Sequence, residues 1–140
     1  MAYGDPMYDV IPIGHVRSSL VDRAAAPMQG NEGAPDARLV FDPQYRDAVR
    51  DLRAGDEILV LTWLHQSDRS VRRVHPRDDL SAPIRGVFST RSPDRPNPIG
   101  LHPVRVLEVD GARVRVADLE AIDGTPVIDV KSAGVGPGVK

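Results

Sequence analysis

The residues with the most chemical promise lie in one run, Arg91 to Gly100 (RSPDRPNPIG). Pro93, Pro96 and Pro98 fix three φ angles and remove three backbone donors. Each also drives the residue before it towards extended geometry. Such a loop is stiff and poor in hydrogen bonds of its own, and it carries Arg91, Arg95 and Asn97. Guanidinium groups on a preorganised loop suit a carboxylate or a phosphate. An extended linker or a polyproline-type ligand has a similar composition, but linkers rarely sit inside one small domain. His65-Gln66 is the second pair of interest. It ends an apolar strand, where a polar pair either points into a ligand pocket or simply terminates the strand. Carboxylates gather further on, at Asp118, Glu120, Asp123 and Asp129. They cluster in sequence near a likely barrel end, and any one of them alone reads as a solvated side chain.

Other chemistries recede. Gly134 to Gly138 (GVGPG) imitates a nucleotide loop, but two residues follow it and no helix can present its N-terminus to a phosphate. It reads as a flexible tail, and no Rossmann site is expected. His15, His65, His75 and His102 show no ligand spacing, so a metal site is not expected. No G-x-S-x-G elbow is present. Cysteine is absent, which excludes thiol nucleophiles and disulfides and fits a reducing cytoplasm. Eighteen basic and twenty acidic residues give a formal charge of −2, so a polyanion would have to meet a local patch.

These groups need a scaffold, and 140 residues suit one domain, with an ordered core over about 10–131 and flexible termini. No stretch approaches about 18 apolar residues, and Met1 to Met7 lacks the features of a signal peptide, so a cytoplasmic protein is expected. Thirteen prolines and twelve glycines cut the chain too often for long helices. Strands are predicted over Val10–Val16, Ile58–Leu64, Gly86–Thr90 and Val127–Val130, the second buried on both faces. Leu101–Leu119 reads as a hairpin turning at Asp110-Gly111. Counting outward pairs Val109 with Ala112, Glu108 with Arg113 and Leu107 with Val114, and a bulge near Val106 would bring Val104 opposite Val116. One short helix is expected after Asp42-Pro43, with Tyr45, Ala48, Val49 and Leu52 on its apolar face and Gly55 beyond its end. Arg23–Asp36 and Asp68–Pro83 read as loops. The sum is a mainly β chain, a small barrel or sandwich with one short helix.

Five blocks together carry a resemblance: PIGHVRS at Pro12–Ser18, APMQG at Ala26–Gly30, WLHQSDR at Trp63–Arg69, GVFSTRSPDRPNPIGL at Gly86–Leu101 and DGTPVIDVK at Asp123–Lys131. In this order they resemble the TsaA-like family, whose characterised bacterial members are tRNA threonylcarbamoyladenosine methyltransferases (TrmO). The resemblance implies a small, non-Rossmann β-barrel that binds S-adenosylmethionine, a homodimer, and methylation of the exocyclic nitrogen of a modified adenosine beside the anticodon. It carries the cofactor-binding positions onto Met28, Gln29, His65, Gln66, Arg91, Leu101, Ala117, Asp118, Leu119 and Glu120. For the acceptor's proton, Asp123, Asp129 and His65 are the candidate bases, and the sequence does not choose among them. For tRNA, Arg69, Arg72, Arg73, Arg77, Arg95 and Asn97 are the candidate contacts; Asp68 to Arg95 holds seven arginines against four aspartates. The chain departs from the family where Lys131-Ser132-Ala133 replaces a lysine-proline-tyrosine ending, and it stops soon after. Both departures bear on the acceptor more than on the cofactor. The rival readings are a methyltransferase acting on a small molecule and a non-catalytic cofactor-binding module.

Overall fold

A computed structural model describes residues 6–28 and 30–134, so Gln29 and most of the glycine-rich tail lie outside the described residues. Alternation of apolar and polar residues dictates the architecture. Along β6 (Ile99–Asp110) Gly100, His102, Val104 and Val106 turn inward, while Leu101, Pro103 and Arg105 face out. β3 (Glu57–Trp63) does the same with Ile58, Val60 and Thr62. β1 (Gly14–Arg17), β2 (Ala37–Phe41), β7 (Arg113–Val116) and β8 (Pro126–Ser132) complete a closed six-stranded barrel in the order β1-β2-β7-β6-β3-β8. β8 pairs back onto β1 at Gly14–Val127, which leaves the sheet no free edge. Val16, Leu39, Ile58, Val60, Val104, Val106, Val114, Val116 and Val127 fill the interior. A separate two-stranded ribbon, β4 (Arg73–Val74) with β5 (Arg85–Gly86), stands beside the barrel.

Several local expectations are corrected. β3 is not buried on both faces, because Leu59, Leu61 and Trp63 are only half-covered on the outer side. The hairpin register is shifted by one residue: Asp110 pairs with Arg113, Val109 with Val114 and Glu108 with Arg115. The two loop residues are therefore Gly111 and Ala112, with positive φ at Gly111 (60°). This register sets Val109 against Val114 and, past a bulge at Leu107, Val106 against Val116. A bulge is present near Val106, as expected, but the shift comes from matching valine to valine rather than from the favoured Asp-Gly turn. Of the third predicted strand, Gly86–Thr90, only Gly86 is paired, in β5, and Val87–Ser89 closes into a 3₁₀ turn. The predicted helix splits into a 3₁₀ turn, Pro43–Tyr45, and α1, Arg46–Val49. Asp42 caps it by accepting from the Gln44 N–H at 3.1 Å, and Val49 is its one fully buried residue. Ala48 stays exposed.

Candidate functional site

At one end of the barrel the inward positions turn polar. Thr62 and His102 are buried there, on neighbouring strands. Gly100 lies opposite Thr62, and a Cβ on it would stand 2.4 Å from Thr62 Oγ1 and 2.6 Å from His102 Nε2. The missing side chain makes room for these two polar groups to meet. This barrel end opens into a cleft of about 1270 Å³.

The connecting segments wall the cleft. Met28 comes from the 22–30 segment, His65 and Gln66 from the loop after β3, and Arg91 from the proline-rich loop. Leu101 comes from β6, and Ala117, Asp118 and Glu120 from the segment after β7. Eight of the ten positions named for the cofactor thus share one cavity. Leu119 does not: it is fully buried in the barrel core, and its N–H donates to the Pro35 carbonyl at 3.0 Å. Asp118 is held at φ 55°, an uncommon conformation for a non-glycine residue, and its exposed side chain borders the cleft. Gly30 approaches the same segment so closely that a Cβ would lie 2.0 Å from the Asp118 carbonyl oxygen and 3.2 Å from Glu120 Oε2.

Arginines brace the proline-rich loop against its neighbours. Arg95 turns inward and donates to the carbonyls of Val87 and Thr90. Arg69 donates from Nε to the Pro96 carbonyl (2.7 Å) and from Nη2 to Asn97 Oδ1 (3.1 Å), with its guanidinium 5.1 Å from the Trp63 ring centre. Asp94 accepts from both Arg23 Nη2 and the Asp68 N–H at 2.8 Å. The Ser70 hydroxyl and N–H hold the Asp68 carboxyl below its ordinary range. These contacts correct part of the expected RNA footprint. Arg95, Arg69 and Asn97 are tied into the loop, and Arg77 is paired with Glu32. Arg72 and Arg73 remain exposed, without a salt-bridge partner among the described residues.

The candidate bases separate in the same way. Asp123 accepts from the Ser18 N–H (2.9 Å) and Asp129 faces Lys131 (3.5 Å), and neither side chain lines the cleft. Of the three, only His65 does. No group of three His, Asp or Glu residues suited to a metal ion is present among the described residues.

Residues 15–133 match the tRNA-methyltransferase O N-terminal domain family. The chain belongs to that family. It is 48% identical over 120 residues to a probable S-adenosyl-L-methionine-binding protein of Methanothermobacter thermautotrophicus, covering 86% of this chain and 85% of the relative. An S-adenosyl-L-methionine-binding protein of Archaeoglobus fulgidus is 41% identical, with the same two coverages. Among solved structures, TrmO from Pseudomonas aeruginosa superimposes with a TM-score of 0.73 at 28% identity, over 96% of this chain and 61% of that one. A second TrmO crystal structure gives 0.74 at 29%, over 96% and 63%. The chain therefore spans about three fifths of the length of the solved TrmO chains.

One constellation at the polar barrel end has no motif in the sequence. Thr62 Oγ1 lies 2.7 Å from His102 Nε2, and His102 Nδ1 lies 2.5 Å from Glu120 Oε1. The four histidines show no ligand spacing, so spacing alone does not single out His102. The signal that could have found it was the strand alternation, which places a histidine on an inward position where valine is the rule. A buried imidazole needs partners on both nitrogens, and here it has them.

Proposed function

We propose that this chain is an S-adenosylmethionine-dependent methyltransferase whose acceptor is the exocyclic nitrogen of threonylcarbamoyladenosine in tRNA. The observation that carries the reading is the convergence of Met28, His65, Gln66, Arg91, Leu101 and the 117–120 segment on one cleft. Sites for small ligands commonly enclose about 300–1000 Å³, and this one is larger, with room for a donor and an entering base. When bound, the cofactor supplies a methyl group activated by a sulfonium cation. Arg91 is exposed at the cleft without a salt-bridge partner among the described residues, and suits the donor's carboxylate. The backbone of Ala117 to Glu120 suits an adenine edge, and Asp118 supplies negative charge near a cationic group. The protein's contribution is position and electrostatics, as in other in-line displacements.

Two features support an RNA acceptor. Arg72 and Arg73 stand free on the ribbon, and Arg72 shares a second hollow of about 350 Å³ with Phe88, which is 87% exposed. An exposed aromatic ring beside a cation suits an unpaired base and its phosphate. The net charge of −2 favours the rival, a small-molecule acceptor in the same cleft. A homodimer belongs to the same proposal, and the exposed Leu80 and Ile84 offer apolar surface to a second copy. The deciding experiment is nucleoside mass spectrometry of tRNA from a strain lacking this protein. Loss of the methylated threonylcarbamoyladenosine mass, restored by complementation, is expected; an unchanged nucleoside profile hands the cleft to a small molecule.

A further inference from the structure

We infer that Glu120 accepts the proton of the acceptor nitrogen and that His102 positions Glu120 for this task; the inference rests on the methyl-transfer reading above. Methylating a nitrogen that bears hydrogen and neighbours a carbonyl requires that hydrogen to leave, and a carboxylate is a suitable acceptor. The acids at the cleft are not equivalent. Asp22 caps the Ala24 N–H, and Asp94 is held by Arg23 and by the Asp68 N–H. Glu57, Asp78 and Asp118, which also line the cleft, are exposed to water. Glu120 is the least exposed of them, with its side chain 16% exposed against 29% for Asp94, and it is fixed at one oxygen. Oε1 accepts from His102 Nδ1–H, and the Thr62 hydroxyl holds the far side of the ring. Oε2 has no hydrogen-bond partner among the described residues and lies beneath Gly30, whose missing Cβ leaves the space above it.

One oxygen bound and one free, at the polar end of a closed barrel, is the arrangement that orients a carboxylate towards an entering group. In the step proposed, the N–H bond breaks towards Glu120 Oε2 and its electron pair remains on nitrogen. The nitrogen lone pair forms the new N–CH₃ bond. The electron pair of the breaking S–CH₃ bond stays on sulfur, which passes from sulfonium to neutral thioether. The proton on Glu120 then returns to solvent through the open cleft. His102 does not touch the acceptor and acts only through Glu120.

The test uses the full chain with threonylcarbamoylated tRNA and two readouts, calorimetric affinity for S-adenosylmethionine and the split between kcat and KM. Glu120→Gln keeps the shape and the second oxygen but removes the charge. It should lower kcat by about 100-fold or more, within the usual range for a lost general base, while donor affinity changes by less than about threefold. His102→Leu removes the positioning bond and should lower kcat by about tenfold with KM unchanged. His102→Asn restores an N–H near the place of Nδ1 and should recover most of that loss; a purely structural role predicts no such rescue. If His102→Leu fails to fold, His102→Asn decides alone, near wild-type kcat supporting the assignment. A Glu120→Gln variant with wild-type kcat overturns it. A variant whose loss lies entirely in donor affinity makes Glu120 a cofactor contact and also overturns it. If wild-type protein binds the donor but methylates no tRNA, the functional reading fails and the assignment with it. The two failures stay distinct, because the second shows in the wild type and the first only in the variants.

Discussion

Arg23 and Asp94 lie 71 positions apart in the chain, and a 2.8 Å contact between Nη2 and Oδ1 joins the loops that carry them. Arg23 also donates from Nη1 to the Gln66 carbonyl at 2.8 Å. One side chain thus ties together three walls of the cleft, those that bear Met28, Gln66 and Arg91. An exposed ion pair alone contributes about 0–1 kcal/mol, but this one fixes the mutual placement of the walls. Arg23→Ala should weaken S-adenosylmethionine binding by about fivefold, about 1 kcal/mol, and leave the unfolding midpoint nearly unchanged. Calorimetry beside a thermal melt checks both halves, and unchanged affinity removes the latch from the site.

Gly100 offers a second test. A methyl group there meets Thr62 Oγ1 and His102 Nε2 well inside contact distance, and both belong to a buried strand pair. Gly100→Ala should therefore cost about 1–3 kcal/mol of stability, the usual range for overpacking. It should also separate Thr62 from His102, which an imidazole NMR shift reports directly. A variant that melts like wild type would mean that the strands shift freely and that the glycine is not required.

Much of this was legible in the sequence, and the rest was hidden for identifiable reasons. The valine-rich hairpin Leu101–Leu119 and the apolar run Ile58–Leu64 announce a mainly β barrel or sandwich, and the five motif blocks announce its family. Local turn preference misled at Asp110-Gly111, because pairing inward valines outweighs the choice of turn residue. The fate of Arg95 was not readable either: its guanidinium turns back onto the carbonyls of Val87 and Thr90, a contact that only the folded loop creates. Charge alone could not separate Asp123 and Asp129 from Glu120, since what distinguishes them is the cleft and the histidine behind it.

Arg91 is the exposed guanidinium that the proline-rich loop presents to the cleft. A hydrogen bond to a charged group contributes about 1.5–3 kcal/mol. Arg91→Ala should raise the dissociation constant for S-adenosylmethionine by about 10-fold to 150-fold. Arg91→Lys should recover only part, because an ammonium cannot make the two parallel bonds of the guanidinium fork. Equal affinities for wild type and Arg91→Ala would assign the donor's carboxylate to another residue.

Arg72 and Arg73 carry the last prediction. Arg69 and Arg77 are engaged, with Asn97 and the Pro96 carbonyl in one case and with Glu32 in the other. Of these four arginines only Arg72 and Arg73, beside the equally exposed Arg85 of the ribbon, are left to supply the counterion term in RNA binding. Phosphate contacts supply affinity without sequence choice. Each neutralised phosphate contributes a slope of about −0.7 in log affinity against log salt for single-stranded RNA. Replacing both arginines with alanine should lower tRNA affinity at low salt and flatten that slope by about 1–2 units. S-adenosylmethionine affinity should stay at the wild-type value, because neither side chain holds a wall of the donor site in place. Phe88→Ala should weaken tRNA binding without altering the slope, since a stacking ring displaces no counterion; base stacking contributes about 1–3 kcal/mol. A filter-binding titration over a range of potassium chloride concentrations reads both effects. If the double variant keeps the wild-type slope, the ribbon is not the RNA contact.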